Sequence, residues 1–510
     1  MSDPLAAVSV TDRLYSLCVQ ASTRARANRR GVLVSIVERV PVVDPLGALE
    51  TVVRAAGSDR TIAKHTADRM YWTRPADDFA LAGLGAAVTF TPEGADRFAT
   101  IDREWAALMD GALVEDPSGG VPGAGPVLLG GFAFDPEGPR TELWRDFPAA
   151  RLIVPRLQLV VTGDDCWLTT TLLVGMDGQP DVEPTVLARL SKGFLNSRAS
   201  VPGSTASIPA SETLTCTDVR DTFEWRATVR DAVAAIRACE LEKVVLAREV
   251  RAAASRKIDV AATLRQLQFA HPTCYVFGCW HGDSVFVGAT PERLVRVEGR
   301  DVQASSLAGS VRRGATPHDD AAHAEQLLAS AKDRSEHEIV RRALCAGLAL
   351  LCDDVTAADE PTLLSLSQVH HLHTAVHARL RAGHTLLQLV AQLHPTPAVG
   401  GAPRNAALRF IREHEEMDRG WYAAPVGWLQ RDRGEFAVAL RSALITGSEA
   451  SLFAGCGVVA DSDPYQEYAE SLLKLRPMEL ALATSLTAEG VAVDVAVDVA
   501  EPAGCGGDTR

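Results

Sequence analysis

Short runs of apolar, often β-branched residues recur along the whole chain, and stretches with helical spacing separate them. The run KVVLAREV at 243–250 is typical, because valine, leucine and alanine in succession indicate a buried strand. Similar runs lie at 31–37, 81–90, 127–134, 152–162, 166–174, 273–280, 284–288, 293–298, 302–307, 421–429, 435–445 and 451–459. The pattern predicts a fold in which many strands alternate with helices.

Helical spacing marks several of the intervening stretches. We expect helices at 45–56, 94–113, 222–240, 318–351, 384–393 and 403–415, with a short loop region after 351. A further helix begins at Asp463 and Pro464, since a capping side chain followed by a proline is a sound helix start. That helix holds Glu467, Glu470 and Lys474.

The segment 197–211 is rich in serine, proline and alanine and is typical of a surface loop or linker. We therefore predict a division into 1–215, 216–482 and a C-terminal tail, 483–510, which we expect to be disordered. The 510 residues exceed one ordinary domain, although a large α/β enzyme can reach this length around one core.

Composition excludes several classes of protein. The net charge is −14, from 51 basic and 65 acidic residues, which argues against nucleic acid or an anionic membrane as the main partner. The longest apolar run, 343–352, is too short to cross a bilayer, and the N-terminus lacks a signal pattern, so we expect a cytoplasmic protein. The 10 cysteines form no Cys-x-x-Cys pair and indicate reduced thiols.

Two acidic pairs stand at helical spacing in the C-terminal half. Asp333 and Glu336 form one pair, and Glu467 and Glu470 form the other. Residues three apart share a helix face. A single pair of acidic residues at this spacing usually lies on a solvated helix surface. Hard oxygen ligands from two separate elements, however, are typical of a Mg²⁺ site that also holds an anionic substrate.

Lysine is rare in this chain, with 6 lysines among the 51 basic residues. Lys243 opens a strand of valine and leucine, where burial disfavours the charged ammonium, and an uncharged amine can act as a general base. The alternative is that its amine extends from the strand start into solvent.

Glu292 follows a strand, a glycine and a proline. Loops at strand ends carry function, and a carboxyl group near apolar surface has a raised pKa and can donate a proton. The alternative is an exposed turn residue that pairs with Arg293 or Arg296.

Arg441 is expected among small residues. Strand alternation places it on one face with Ala437, Ala439 and Ala443, which leaves room for a carboxylate to reach the guanidinium. The neighbouring run 454–457 is Ala-Gly-Cys-Gly, where backbone amides can approach an anion. The alternative is a packed hairpin with a surface arginine.

Other patterns are weaker. The pieces 83–85 and 455–457 resemble parts of a dinucleotide fingerprint, but neither continues into the required glycine and helix, which disfavours a nicotinamide oxidoreductase. Of the histidines at 370, 371 and 373, we assign His371 a polar contact with substrate and expect His370 to point away.

Taken in order, the segments resemble the chorismate-utilising enzymes, which include isochorismate, salicylate, anthranilate and aminodeoxychorismate synthases. The matching runs are KVVLAR (243–248), FVGATPERL (286–294), SLAGSVRRG (306–314), KDRSEH (332–337), VHHLHT (369–374), HPTPAVGGAP (394–403), RGWYAAPVGW (419–428), EFAVALRS (435–442), AGCGVV (454–459) and the helix with Glu467, Glu470 and Lys474. In the N-terminal half, LGGFAFDPEGP (129–139) is similar to menaquinone-type isochorismate synthases.

The resemblance implies an anthranilate-synthase-like α/β (equally α+β) fold, with two large, mostly antiparallel sheets packed face to face and helices outside. It implies that Lys243 activates water for attack at C2 of chorismate and that Glu292 protonates the departing C4 hydroxyl. Glu336 and Glu470 would bind Mg²⁺, supported by Glu467 and Asp333. The substrate-binding set it implies is Gly309, Ser310, His371, Thr374, Tyr422, Arg441, Gly455, Cys456, Gly457 and Lys474.

Two positions favour water addition within this family. Enzymes that use ammonia carry glutamine where Lys243 stands, and aminodeoxychorismate synthases often place a lysine where Ala308 stands. The expected activity is therefore that of an isochorismate synthase, a monomer without a glutaminase subunit, serving a menaquinone or siderophore pathway. A salicylate synthase and a catalytically silent, ligand-sensing subunit are the alternatives. Cys456 and Ser471 replace a usual alanine and threonine.

Overall fold

The structure is a computed structural model that describes residues 9–56, 64–196 and 213–486. Within these ranges the helices are α1 (Val10–Asn28), α2 (Pro45–Ala56), α3 (Arg97–Gly111), α4 (Pro184–Leu195), α5 (Thr222–Arg237), α6 (Val260–Ala270), α7 (Pro317–Ala329), α8 (Ala331–Ala349), α9 (Leu386–Leu393), α10 (Arg404–His414) and α11 (Pro464–Leu486).

The strands of the same ranges number 21. They are β1 (Val32–Val40), β2 (Arg69–Arg74), β3 (Phe79–Phe90), β4 (Leu113–Glu115), β5 (Leu128–Phe132), β6 (Ala150–Thr162), β7 (Asp165–Val174), β8 (Leu214–Asp218), β9 (Lys243–Ala254), β10 (Tyr275–His281), β11 (Ser284–Thr290), β12 (Arg293–Glu298), β13 (Asp301–Arg312), β14 (Cys352–Ala357), β15 (Thr362–Ser365), β16 (Val369–Leu380), β17 (Gly401–Ala402), β18 (Pro425–Leu429), β19 (Arg433–Val438), β20 (Ser442–Thr446) and β21 (Glu449–Val458).

Two long series of paired strands meet at β6. The first series runs β9–β21–β20–β11–β10–β2–β3–β6–β7–β1–β4, and the second runs β5–β18–β19–β12–β13–β16. β6 pairs with β5 near its start and with β7 near its end. Every described pairing between named strands is antiparallel except that of β1 with β4. The predicted antiparallel α/β fold is confirmed.

Apolar side chains from both series and from the helices are buried in two clusters. One contains Trp72, Phe132, Phe277 and Phe436, and the other contains residues of α1, α4 and strands along the whole first series. Burying large aromatic and aliphatic side chains is the main favourable term in folding, so these clusters hold the strands at constant positions. None of the described helices combines the length and the apolar character needed to cross a membrane.

The prediction of one long helix over 318–351 was wrong. The structure has α7 and α8 instead, separated at Ser330, because the Ser330 hydroxyl accepts a hydrogen bond from the amide of Asp333. A side chain that caps the next helix in this way satisfies an amide left free at a helix start.

The strand predicted over 435–445 is also interrupted. β19 ends at Val438 and β20 begins at Ser442. Arg441 lies between them with φ of 49°, a left-handed conformation in which strand alternation does not apply. The argument that placed Arg441 on one face with alanines was therefore wrong, although its position beside small residues stands.

Smaller differences between the predicted and the observed elements also occur. Residues 421–424 form a turn before β18, and the region after 351 where a loop was expected contains β14, β15 and β16. Helix α1 and its overlap with the arginine-rich stretch near 24–30 were not foreseen. The predicted linker at 197–211 and nearly all of the predicted tail lie outside the described residues, so the domain division stays a prediction.

Candidate active site

An open cavity lies where the first strand series faces the second, with about 670 Å³ of empty space including its solvent-filled mouth. β9 and β21 contribute one wall, and β13 and β16 contribute another. Of the residues singled out from the sequence, the cavity is lined by Glu292, Gly309, Ser310, Glu336, His371, Tyr422, Arg441, Gly455, Gly457, Glu470 and Lys474. Eleven of the predicted residues, from eight separate segments of the chain, therefore meet at one place.

Lys243 is at the start of β9 and is completely buried, at 0% exposure. Its Nζ lies 2.8 Å from Oε1 of Glu336, an ion pair that lacks the angles of a hydrogen bond. A Cβ atom on Gly457 would come within 2.2 Å of Glu336 Oε1 and 2.8 Å of Lys243 Cε. The lysine therefore does not reach solvent, and Gly457 leaves the space in which it meets the carboxylate.

Glu292 follows β11 and is 4% exposed. Burial raises its pKa to about 7, against the opposing influence of Lys243, Lys474 and Arg441. The sequence left open a turn residue paired with arginine, but Arg293 binds Glu435. Glu292 is thus a buried carboxyl group that is partly protonated near neutral pH.

The four predicted metal ligands each have a partner of their own. Glu336 pairs with Lys243, Glu467 with Lys332 at 2.8 Å, and Glu470 with Lys474 at 2.7 Å. Asp333 accepts a hydrogen bond from Ser330. In this arrangement no three described His, Cys, Asp or Glu side chains are grouped closely enough to hold an ion.

The donor atoms nevertheless fit a hard divalent cation. All four side chains offer carboxylate oxygens, and Glu336 and Glu470 face the same cavity. Burial, followed by the charge of the nearby Glu470 carboxylate, raises the pKa of Glu467. A cation is the natural counterion for such a cluster.

The guanidinium of Arg441 contacts His371 instead of an acid. Its Nη2 lies 3.4 Å from His371 Nε2, and Ser310 Oγ lies 2.8 Å from His371 Nδ1. Burial, followed by the charge of Arg441, lowers the pKa of His371 well below its usual value, so the ring is neutral. Burial also lowers the pKa of Arg441, which is in no ion pair with the carboxylates of the described chain. An arginine in such surroundings favours an anionic ligand.

Two of the predicted residues, Cys456 and Thr374, lie behind the lining of the cavity. Cys456 is fully buried, and burial, together with the charges of Glu467 and Glu470, raises the pKa of its thiol. Thr374 bonds His337 through its hydroxyl at 2.8 Å. Tyr422 does line the cavity, and a Cβ atom on Gly455 would lie 3.2 Å from its hydroxyl.

Sequence reasoning missed two residues here. Burial opposes the charge of Lys332, but the carboxylate of Glu467 more than offsets it and raises the pKa of Lys332 to about 12. His337 is buried, which lowers its pKa to about 4. The rarity of lysine was a signal that could have identified Lys332, whereas the partner of His337 lies 37 residues away and needed the fold.

Comparison with known proteins identifies the family. A family profile described as chorismate binding enzyme matches residues 20–483. The chain belongs to the chorismate-binding enzymes. This chorismate-binding enzyme is 38% identical over 464 residues to a protein of Pseudomonas aeruginosa named salicylate biosynthesis isochorismate synthase, with 91% of this chain and 93% of the relative covered.

Two further relatives agree. Isochorismate synthase MenF of Bacillus subtilis is 36% identical over 473 residues, with 91% of this chain and 96% of the relative covered. Among solved structures, the menaquinone-specific isochorismate synthase MenF of Escherichia coli matches this chorismate-binding enzyme with a TM-score of 0.69 and 25% identity. That match covers 93% of this chain and 100% of the other.

Proposed function

We propose that the protein is an isochorismate synthase, which adds water at C2 of chorismate and releases the C4 hydroxyl. The observation that carries this proposal is that Glu292, a buried carboxyl group with a pKa of about 7, lines the same cavity as Glu336, which pairs with the buried Lys243. The charge of Lys243 opposes the rise in the pKa of Glu292. A base and an acid with such different environments are the pair that this reaction needs.

Lys243 is the proposed base. Its amine takes a proton from water as the water oxygen bonds to C2, and the ring double bonds shift toward C4. The Glu336 carboxylate at 2.8 Å stabilises the charged ammonium, so the base role requires Glu336 to be engaged elsewhere during the reaction. Glutamine at this position could not accept the proton, which is the reason to expect water rather than ammonia as nucleophile.

Glu292 is the proposed acid. As the bond from C4 to its hydroxyl oxygen breaks, Glu292 donates its proton and the group leaves as water. The donated proton and the proton taken by Lys243 balance, so the overall reaction is an isomerisation. Burial of Glu292 keeps a substantial fraction of the carboxyl protonated near neutral pH, which a solvent-exposed glutamate would not be.

Glu336 and Glu470 are the proposed ligands of Mg²⁺, with Glu467 and Asp333 as supporting groups. When bound, Mg²⁺ supplies positive charge that neutralises the ring carboxylate of the substrate. Lys474, which donates to the carbonyl of Gly455 at 2.9 Å, remains beside Glu470 to balance its charge. Lys332 does the same for Glu467.

Arg441 is the proposed binding partner of the enolpyruvyl carboxylate of chorismate. His371 and Ser310 hold the guanidinium in place, and Tyr422 lies in the same wall. Gly455 and Gly457 bring backbone close to this region without side chains of their own. Gly309, Thr374 and Cys456 complete the set by shaping the walls.

Incubation of the protein with chorismate and Mg²⁺, followed by chromatography of the products, tests the proposal. Isochorismate as the sole product supports it, whereas salicylate together with pyruvate would indicate a salicylate synthase. A folded protein that does not convert chorismate would return the silent subunit as the better hypothesis. We place the enzyme in the cytoplasm as a monomer without a glutaminase, and sedimentation in solution tests the monomer.

A further inference from the structure

Strand β9, which begins with Lys243, is only partly paired with other strands along one of its edges. β21 pairs with one edge along residues 244–253. On the other edge, β17 pairs at 243–244 and β8 pairs at 250–254. Among the described residues, no strand therefore pairs with 245–249 on that edge, although Val245, Leu246 and Ala247 are buried. Buried backbone groups without partners are strongly unfavourable.

Side chains take the place of the missing strand. The Glu415 carboxylate accepts a hydrogen bond of 2.8 Å from the amide of Ala247. The indole N–H of Trp225 donates a hydrogen bond of 3.0 Å to the carbonyl of Ala247. Arg419 donates to the carbonyl of Val245 at 2.8 Å. These contacts, with the backbone bond from the Val245 amide to the Gly400 carbonyl, hold this stretch of β9 on the edge opposite β21.

Glu415 and Arg419 also hold each other. Arg419 Nε donates to Glu415 Oε1 at 2.6 Å, and both side chains are almost entirely buried, at 3% and 2% exposure. Burial disfavours the charge of Arg419, but Glu415 more than offsets this and raises its pKa. A buried pair of this kind is weak evidence for stability, since apolar residues of similar volume often serve as well. The contacts of this pair with the backbone of β9 indicate instead that it fixes the position of that strand.

The pair reaches the cavity through three backbone segments. Arg419 donates to the carbonyl of Val399 at 2.8 Å, and both Val399 and Val245 line the cavity. The amide of Tyr422 donates to the carbonyl of Arg419 at 2.8 Å. The pair thus connects the strand of Lys243, the loop at 396–400 and the turn that carries Tyr422, while touching no cavity space itself.

We propose that Glu415 and Arg419 are a positioning pair that sets the reach of Lys243 into the active site by replacing the missing strand beside β9. The proposal rests on the proposed function for the role of Lys243. It predicts that loosening the pair displaces the amine relative to the substrate while chorismate still binds through Arg441. Turnover then falls more than affinity does.

Two variants of the pair test this. Arg419→Lys keeps the charge but cannot reach Val245, Val399 and Glu415 together, and Glu415→Gln keeps the shape but leaves the arginine unpaired. Arg156→Lys is the matched control, since Arg156 is a buried arginine bound to Asp181 at 2.6 Å in the N-terminal half. We measure kcat, KM for chorismate, thermal stability, and amide hydrogen exchange over 243–247.

The expected result is a fall in kcat of about 10- to 100-fold in both variants of the pair, because a displacement of the order of 1 Å can have that effect. KM should change by less than about threefold, since the carboxylate contacts remain. Exchange over 243–247 should become at least about tenfold faster, while Arg156→Lys loses stability and keeps both readouts at the native level.

Native kcat in folded Arg419→Lys and Glu415→Gln, with native exchange over 243–247, would overturn the proposal. If either variant does not fold, Trp225→Phe removes a single bond to the same strand and should show the smaller change in the same direction. A native protein that forms no isochorismate would overturn the proposed function instead. In that case the exchange data alone still decide whether the pair holds the strand.

Discussion

The Nζ of Lys243 lies 2.8 Å from Oε1 of Glu336, so that the proposed base and a proposed metal ligand are in direct contact. Each is held by a different element, Lys243 by β9 and Glu336 by α8. Gly457 of β21 provides the space between them. The same contact links the proposed base to the proposed metal site.

Lys243→Ala should abolish isochorismate formation while metal binding survives. The variant removes the amine and leaves all four carboxylates, so a loss of at least about 10³-fold in kcat is expected for an essential base. Product chromatography and a Mg²⁺ titration followed by calorimetry measure the two effects. Lys257→Ala, at a lysine outside the cavity, is the control. Retained turnover in Lys243→Ala would remove the base assignment.

The pH dependence of kcat/KM should report Glu292. The pKa of Glu292 is about 7, so the carboxyl is protonated below that pH and able to donate, and activity is lost as the pH rises through 7. Glu292→Gln keeps a hydrogen-bond donor but cannot give up a proton, so its kcat should fall by about 10²- to 10⁴-fold. The residual activity should lack the limb near pH 7. An unchanged limb in this variant would assign it to another group.

Glu470→Gln should weaken the binding of Mg²⁺ on which activity depends. The substitution keeps the shape and removes the charge that a hard cation requires, so half-maximal activity should need at least about tenfold more Mg²⁺. Equilibrium dialysis of the free protein gives the affinity independently of turnover. Glu325→Gln, at an exposed position of α7, should leave both measurements at the native level. Equal titrations for Glu470→Gln and the native protein would exclude Glu470 as a ligand.

Gly457→Ala should inactivate the enzyme with a modest loss of stability. The added Cβ would come within 2.2 Å of Glu336 Oε1, so Glu336 and Lys243 must separate. Overpacking of this kind costs about 1–3 kcal/mol in the free energy of unfolding. Thermal unfolding and product formation are measured together. Gly111→Ala is the control, because no atom lies within 4 Å of its added Cβ. Native activity in Gly457→Ala would show that the contact between Lys243 and Glu336 is dispensable.

Much of the fold could be read from local patterns. Long apolar runs such as β9 and β21 were recognised because continuous burial leaves a composition that few other structures share. Arg441 was placed beside small residues for a partly wrong reason, since the chain turns into a left-handed conformation at that residue. Ser330 shows the opposite case, because its capping contact with Asp333 is local and a search for capping boxes would have found it.

The amino-acid sequence by itself determined which side chains carry the proposed chemistry, because a rare lysine, two acidic pairs and a glutamate after a strand are visible as residue types and spacings. Only the tertiary structure decided how they meet. Lys332 pairs with Glu467, which is 135 residues away in the sequence, and the amide of Ala247 donates to Glu415, which is 168 residues away. Such contacts depend on where two strand series place their backbones, and no local pattern encodes that distance.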